Sequence, residues 1–248
     1  MRTLLLDIET APLTVYCWGL REQDISLDQI IDTSYVLCWS AKWLDQDTIL
    51  FDQTTKRKAS SRGMIRRIHA LLDKADVVIT FNGVKFDLPT LNKEFIQHGL
   101  DQPSPYVNID LLKTARSKFR FASNKLDHLA DELGLGRKVK HSGFLMWIQC
   151  MEMDVTAWSE MREYNKQDVR VLEALYYRLR PWVTSQANHA TFTGHDVCPK
   201  CGSPNHCGRG YAYTTRGKYQ RRQCRDCSAW FRGTASLTRR GKGWVPCG

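Results

Sequence analysis

Residues 3–10 read Thr-Leu-Leu-Leu-Asp-Ile-Glu-Thr, and the fold is decided by how this stretch is read. Its first half, within residues 3–8, is an apolar run typical of a buried strand, yet Asp7 and Glu9 interrupt and extend it. On a strand, side chains at i and i+2 share a face, so the two carboxylates point the same way. A hydrophobic first strand in an α/β domain usually lies centrally. Burying an unpaired carboxylate there is costly, so a cation is expected opposite the pair.

The same conflict recurs further along the chain. Met161, Tyr164, Asp168, Leu172, Leu175 and Leu179 are spaced 3, 4, 4, 3 and 4, which is one face of an α-helix. Asp168 therefore sits on an apolar stripe, one turn beyond Tyr164. Asp87 follows the apolar strand Val77–Phe81 and its Asn82-Gly83 turn, where the N-cap of a helix starting about residue 88 belongs. Strand ends in α/β domains are where sites are built. Taken singly, Asp87 is a plain N-cap, Asp7 and Glu9 are partners of Arg or Lys, and Asp168 is a salt-bridged helix residue. Taken jointly, four carboxylates on three elements are explained by two divalent cations, and oxygen donors of this kind suit Mg²⁺ or Mn²⁺.

Around these residues the pattern gives strands at 3–8, 35–43, 47–51, 77–81 and 107–109. Helical spacing runs from Met64 to Ala75, and a helix capped by Ser123 carries Leu126, Leu129, Ala130 and Leu133 before Gly134. A long helix covers 158–180 and ends before Pro181. Three strands, a helix, a strand, a helix and a strand, then helices, predict an α/β domain with a mixed five-stranded sheet flanked by helices. Past Trp182, Gly, Thr, Arg and Cys replace periodic apolar residues, which places a boundary near 185–195 and divides the chain into 1–185 and 186–248.

The chain is 42% hydrophobic and 25% charged, enough apolar material for a real core. It contains no apolar run long enough to span a membrane, and its N-terminus is not a signal peptide, so no membrane partner and a reducing, cytoplasmic location are expected. The net charge is +10, and residues 186–248 hold eleven Lys and Arg against Asp196 and Asp226, a net +9. A segment that basic suits a polyanion; the alternative is a solubilising surface. Cys198, Cys201, Cys224 and Cys227 form C-x₂-C-x₂₂-C-x₂-C, the spacing of one structural Zn²⁺ in a small ribbon. His206 and Cys207 are the nearby substitutes as ligands. Cys17, Cys38 and Cys150 sit in apolar surroundings and are expected in the core, while Cys247 has no evident role.

Between the knuckles, aromatic and basic residues alternate around a hairpin. Lys218, Arg221, Arg222 and Arg225 are the expected phosphate contacts. Tyr211, Tyr213 and Tyr219 stand either for base stacking or for packing within the ribbon.

Three motifs carry a resemblance that covers about residues 1–182. LLLDIET, with Asp7 and Glu9, resembles the first motif of the DnaQ-like DEDD exonuclease superfamily. FNGVKFD, with Asn82, Phe86 and Asp87, is similar to the second, and YNKQD, with Tyr164 four residues before Asp168, resembles the tyrosine (DEDDy) form of the third. The nearest upstream histidine, His141, is too distant for the histidine form. The segment SNKLDHLADELGLG (123–136) looks like the helix region preceding that motif. The resemblance implies an RNase H-like fold and a 3′→5′ exonuclease that releases nucleoside 5′-monophosphates. It implies two Mg²⁺ or Mn²⁺ held by Asp7, Glu9, Asp87 and Asp168, with Tyr164 aiming the attacking water. Phe86 is implied near the terminal nucleotide, and Asn82 shapes the turn or touches substrate. The ribbon resembles those of many DNA-binding and transposase-associated proteins, so DNA is favoured over RNA, in a prokaryotic cell or a virus-infected prokaryotic host. The alternatives are an exoribonuclease or RNase H-like endonuclease using the same acids, or an inactive zinc-ribbon adaptor; no acid is missing, which argues against the last.

Overall fold

A computed structural model describes residues 1–136, 142–194 and 196–238. His141, Cys247 and the basic residues Arg239, Arg240 and Lys242 lie outside the described residues. The chain divides into two compact units, one of residues 2–176 and one of residue 177 onward together with Met1.

In the first unit the elements run β1 (Thr3–Thr10), β2 (Thr14–Val15), β3 (Ile30–Asp32), β4 (Val36–Trp43), β5 (Ile49–Gln53), α1 (Arg62–Lys74) and β6 (Val77–Thr80). They continue with α2 (Asp87–Gln97), β7 (Val107–Asp110), α3 (Leu111–Lys118), α4 (Leu126–Glu132), α5 (Phe144–Met151) and α6 (Val155–Leu179). Five strands form one sheet in the order β5-β4-β1-β6-β7. The β4 strand runs antiparallel to both β1 and β5, whereas β6 and β7 run parallel to their neighbours. This is the mixed five-stranded α/β sheet with flanking helices that the strand pattern predicts, and β1 occupies its centre.

Alternation along β1 explains why a central strand tolerates acids. Leu4, Leu6 and Ile8 pack in one core cluster with Met64, Ile65, Ile68 and Leu72 of α1 and with Leu88, Leu91 and Phe95 of α2. Each such buried side chain contributes roughly 1.5–3 kcal/mol, so this face fixes the register. A one-residue slip would exchange it for the face that carries Asp7 and Glu9. Across the sheet, Cys38 of β4 packs with Met146 and Cys150 of α5 and with Ala157, Trp158, Met161 and Tyr164 of α6. A part-buried ion pair between Lys42 of β4 and Glu173 ties α6 to the sheet.

Several local expectations need correction. Asp87 is the first residue of α2 and Phe86 the N-cap, because the Asp87 carboxylate is turned towards β1 instead of capping its own helix. The long helix α6 starts at Val155, where Asp154 accepts from the Ala157 amide. Lys125, not Ser123, is the N-cap of α4, although the Ser123 hydroxyl accepts from the Lys125 amide. Cys17 is exposed rather than core, whereas Cys38 and Cys150 are buried. Among the described residues no helix is long and apolar enough to cross a membrane.

The second unit contains α7 (His189–Thr193), β8 (His206–Thr214), β9 (Gly217–Cys224) and β10 (Trp230–Ser236). Its strands form an antiparallel sheet in the order β10-β9-β8, so the expected hairpin gains a third strand. The buried cluster of this unit consists of Cys198, Cys224, Cys227 and Ala229, with Cys201 and Phe231 packed against it.

Candidate functional site

On β1, Asp7 pairs with Ser40 and Glu9 with Cys38 of β4, and the register shifts just past Glu9. Asp168 reaches the same place from α6. Asp7, Glu9 and Asp168 each offer an oxygen within 4.8 Å of the others. Two further side chains hold these carboxylates. The Asn165 amide Nδ2 donates to Asp7 Oδ2 at 2.6 Å, and the Trp147 indole Nε1 of α5 donates to Glu9 Oε2 at 3.2 Å. Tyr164 packs edge-on against Trp147, with ring centroids 5.7 Å apart. Burial, with Glu9 next in effect, raises the Cys38 thiol well above its ordinary pKa, so the sulfur beside the acids is a neutral packing group.

Asp87 stands outside the three-acid set and bonds the backbone of Ile8, which lies between Asp7 and Glu9 on β1. Pairing between β1 and β6 extends only to Leu5 and Ile79. Beyond that point the Ile8 amide donates to Asp87 Oδ1 at 3.2 Å. Burial pushes the Asp87 carboxyl up to about 7; the amides of Asp87 and Ile8 pull the other way, and Asp110 adds to the rise. A buried carboxyl held that high is one that a neighbouring cation would ionise.

The turn that delivers Asp87 has its own support. Asn82 adopts φ 68°, in the left-handed region, and its carbonyl accepts from the amides of Lys85 and Phe86. Asp110, at the end of β7, accepts from the Asn82 amide at 2.9 Å and from Leu112 at 3.0 Å, the latter in the first turn of α3. At Gly83 a Cβ would lie 2.3 Å from Thr80 Oγ1, so only glycine fits. Asn82 thus shapes the turn, and Phe86 beside Asp87 remains 41% exposed, available to a ligand.

Reading residues alone misses Asn165, Trp147 and Asp110. Asn165 lies three residues before Asp168 and shares its helix face, a signal that was available. Asp110 closes an apolar strand just as Asp87 follows one. Trp147 sits in a helix too uniformly apolar to single out any one residue.

In the second unit, Cys198, Cys201, Cys224 and Cys227 bring their sulfurs within 4.8 Å of one another. The Sγ atoms of Cys198 and Cys227, and those of Cys201 and Cys224, are 3.7 Å apart. Burial pushes the Cys198 thiol up to about 11, so a thiolate set here needs a cation, and four sulfurs at this spacing suit Zn²⁺. Neither alternative ligand joins the cluster. The His206 ring bonds the Asp196 carbonyl and meets Phe231 edge-on, while Cys207 lies across from Gln223. The four expected phosphate contacts separate. Arg222 pairs with Asp196 at 2.8 Å, Lys218 sits 3.8 Å from the Tyr211 ring centroid, Arg221 lies over Trp230, and the Arg225 backbone amide donates to the Asn205 carbonyl.

A family model described as RNase H superfamily matches residues 27–180. The chain belongs to the RNase H superfamily. The stretch that matches the RNase H superfamily includes Asp87, Tyr164 and Asp168 and begins after β1. Among solved structures, the chain is similar to the family B DNA polymerase of the hyperthermophilic archaeon Pyrobaculum calidifontis, at 19% identity and a TM-score of 0.55. That likeness covers 73% of this chain and 24% of the polymerase, so the chain spans about a quarter of that protein, and what they share is the fold. Comparison with curated proteins finds no match.

Proposed function

We propose that the chain is a metal-dependent 3′→5′ exonuclease that hydrolyses DNA from its 3′ end to nucleoside 5′-monophosphates. In this reading residues 1–185 are a DEDDy-type nuclease domain and residues 186–248 a basic zinc ribbon that holds nucleic acid. The observation that carries it is the convergence of Asp7, Glu9 and Asp168 within 4.8 Å on a central strand and the helix facing it. With the adjoining Asp87, this oxygen-donor set fits a pair of Mg²⁺ or Mn²⁺. Bound there, such ions supply Lewis acidity to the scissile phosphate, an acidified water and stabilisation of the leaving 3′-oxygen.

The protein's own groups do the rest. Asn165 and Trp147 hold Asp7 and Glu9 in ligating orientation, the support that outer groups give a metal site. Tyr164 aims the attacking water, since a phenol hydroxyl both donates and accepts hydrogen bonds without ionising. Phe86 packs against the terminal nucleotide. DNA is favoured over RNA because the ribbon resembles those of DNA-binding proteins. The ribbon raises the local concentration of substrate held by the same chain.

The test is a time course on 3′- and 5′-labelled single- and double-stranded DNA and RNA, with Mg²⁺, Mn²⁺ or EDTA. Mononucleotides are expected from the 3′ end, absent with EDTA. Asp7→Ala or Asp168→Ala is expected to abolish digestion while binding survives; wild-type turnover by Asp7→Ala would sink the assignment. Cleavage of circular substrate would favour an endonuclease instead.

A further inference from the structure

The two faces of the second unit's sheet differ, and the difference selects one of them for ligand. Cross-strand partners share a face. Arg222 of β9 lies opposite Phe231 and Gly208 and shares its face with Gln220 and Lys218. The cations of this face are engaged within the fold. Arg222 is paired with Asp196 and bonded to His206 Nδ1 at 3.2 Å, and the Lys218 ammonium sits between the rings of Tyr211 and Tyr213, at 3.8 and 5.8 Å.

The opposite face is built otherwise. Arg221 of β9 lies directly across from Arg232 of β10, and Trp230 across from Gln223. Like charges placed opposite each other on neighbouring strands destabilise a sheet unless an anion lies between them. Among the described residues no acid of this unit pairs with these two. From residue 177 to the end the chain contains only Asp196, which is bound to Arg222, and Asp226, which is bound to Ser203 and Asn205. Arg221 Nε donates to the Arg209 carbonyl at 3.0 Å and an Arg232 Nη to the Gly233 carbonyl at 3.2 Å, and the guanidiniums flank aromatic rings: Arg221 lies 5.0 Å from the Trp230 centroid and Arg232 lies 4.1 Å from that of Tyr219. Trp230 nevertheless leaves 52% of its surface to solvent. Positive potential on this side also registers at Cys207, where Arg225, and after it Arg209, hold the thiol below its ordinary pKa.

We infer that this face, with Trp230 flanked by Arg221 and Arg232, binds single-stranded nucleic acid: a base stacks on the exposed indole and a backbone phosphate bridges the two guanidiniums. A flat aromatic surface bordered by paired cations matches the alternating base and phosphate of a strand whose bases are unpaired. In a duplex the base faces are already stacked on one another, so the indole would find no partner. This inference rests on the reading of residues 186–248 as a nucleic-acid-holding module and goes further by naming the face and the strand state.

The test uses the full, zinc-loaded chain carrying Asp7→Ala, so that substrate survives. Fluorescence anisotropy is measured with labelled 20-nucleotide single-stranded DNA, single-stranded RNA and duplex DNA across a salt series. Trp230→Ala is expected to weaken single-strand binding about tenfold, with Trp230→Phe restoring most of it. Arg221→Ala with Arg232→Ala is expected to lower the slope of log affinity against log salt by roughly 0.7 or more. Gln220→Ala, on the other face, should stay within about twofold of the parent. Zinc content measured on each variant separates lost binding from lost folding. The inference is overturned if Trp230→Ala binds like its parent, if Gln220→Ala is the damaging change, or if duplex binds as tightly as single strand. Absence of all nucleic-acid binding would remove the module reading as well, while metal-dependent digestion by the wild-type chain would leave the nuclease reading standing.

Discussion

At the scale of single residues, two of the candidate site's carboxylates, Asp87 and Asp168, are buried, while Asp7 and Glu9 are half-buried. Asp87 is 3% exposed and its carboxyl is raised to about 7, against about 3.9 for a free Asp. Between those values the folded state binds the proton that the unfolded state has lost. Metal-free stability therefore falls as pH rises from about 4 to about 7, and the penalty is fully present above that. Asp87→Asn keeps an oxygen for the Ile8 amide and removes the ionisation. In metal-free protein it is expected to raise the melting temperature at pH 8 and to give no gain at pH 4, as followed by circular dichroism. An equal effect at both pH values would refute the account. Trp147 and Asn165 act through the acids they touch. Trp147→Phe and Asn165→Ala should each weaken Mn²⁺ binding about 10- to 100-fold, read by electron paramagnetic resonance as free Mn²⁺, with the fold retained. Unchanged Mn²⁺ affinity would leave both residues as packing only.

At the scale of elements, Asp110 joins three pieces: it ends β7, caps α3 and pins the Asn82 turn that leads into α2. Asp110→Ala strips an acceptor from backbone amides, and buried donors left unsatisfied cost about 1–3 kcal/mol each. A loss of at least about 2 kcal/mol is expected in urea denaturation, with Asp110→Asn recovering part of it; a loss under about 0.5 kcal/mol would show the turn to be self-supporting. The strands and main helices were legible because Leu4, Leu6 and Ile8 alternate, and because Met64, Ile65, Ile68 and Leu72 recur at helical spacing. The three clustered acids were legible because each broke the burial rule of its own element. Helix α5 was not, since Phe-Leu-Met-Trp-Ile-Gln-Cys-Met is apolar at every position but Gln149 and shows no period. Its indole on Glu9 was hidden with it. Strand β10 was also missed, because Arg232, Gly233 and Thr234 carry no apolar alternation and only tertiary pairing makes them a strand.

At the scale of the whole molecule, charge and core are unevenly shared. Nearly all the excess positive charge, +9 of +10, falls in residues 186–248. The buried cluster there is Cys198, Cys224 and Cys227 with Ala229, and Cys201 and Phe231 pack against it. On the zinc-ribbon reading proposed above, a segment with so little apolar core is expected to fold on its metal. Removing zinc with a strong chelator is expected to abolish the second unit's thermal transition and weaken nucleic-acid binding. The transition of residues 2–176, whose core is hydrocarbon, should persist. Scanning calorimetry with and without chelator checks this, and an unchanged profile would mean that the sheet stands on hydrogen bonds alone.

The position of β1 has a further consequence. Two of the clustered acids stand on the innermost strand, which pairs with β4 along their stretch and with β6 as far as Leu5, and which is locked by leucines on its reverse face. Such strands are the last to exchange their amide protons, opening only when everything opens. Fraying at the periphery would therefore leave the acids aligned, and thermal inactivation should follow global melting rather than precede it.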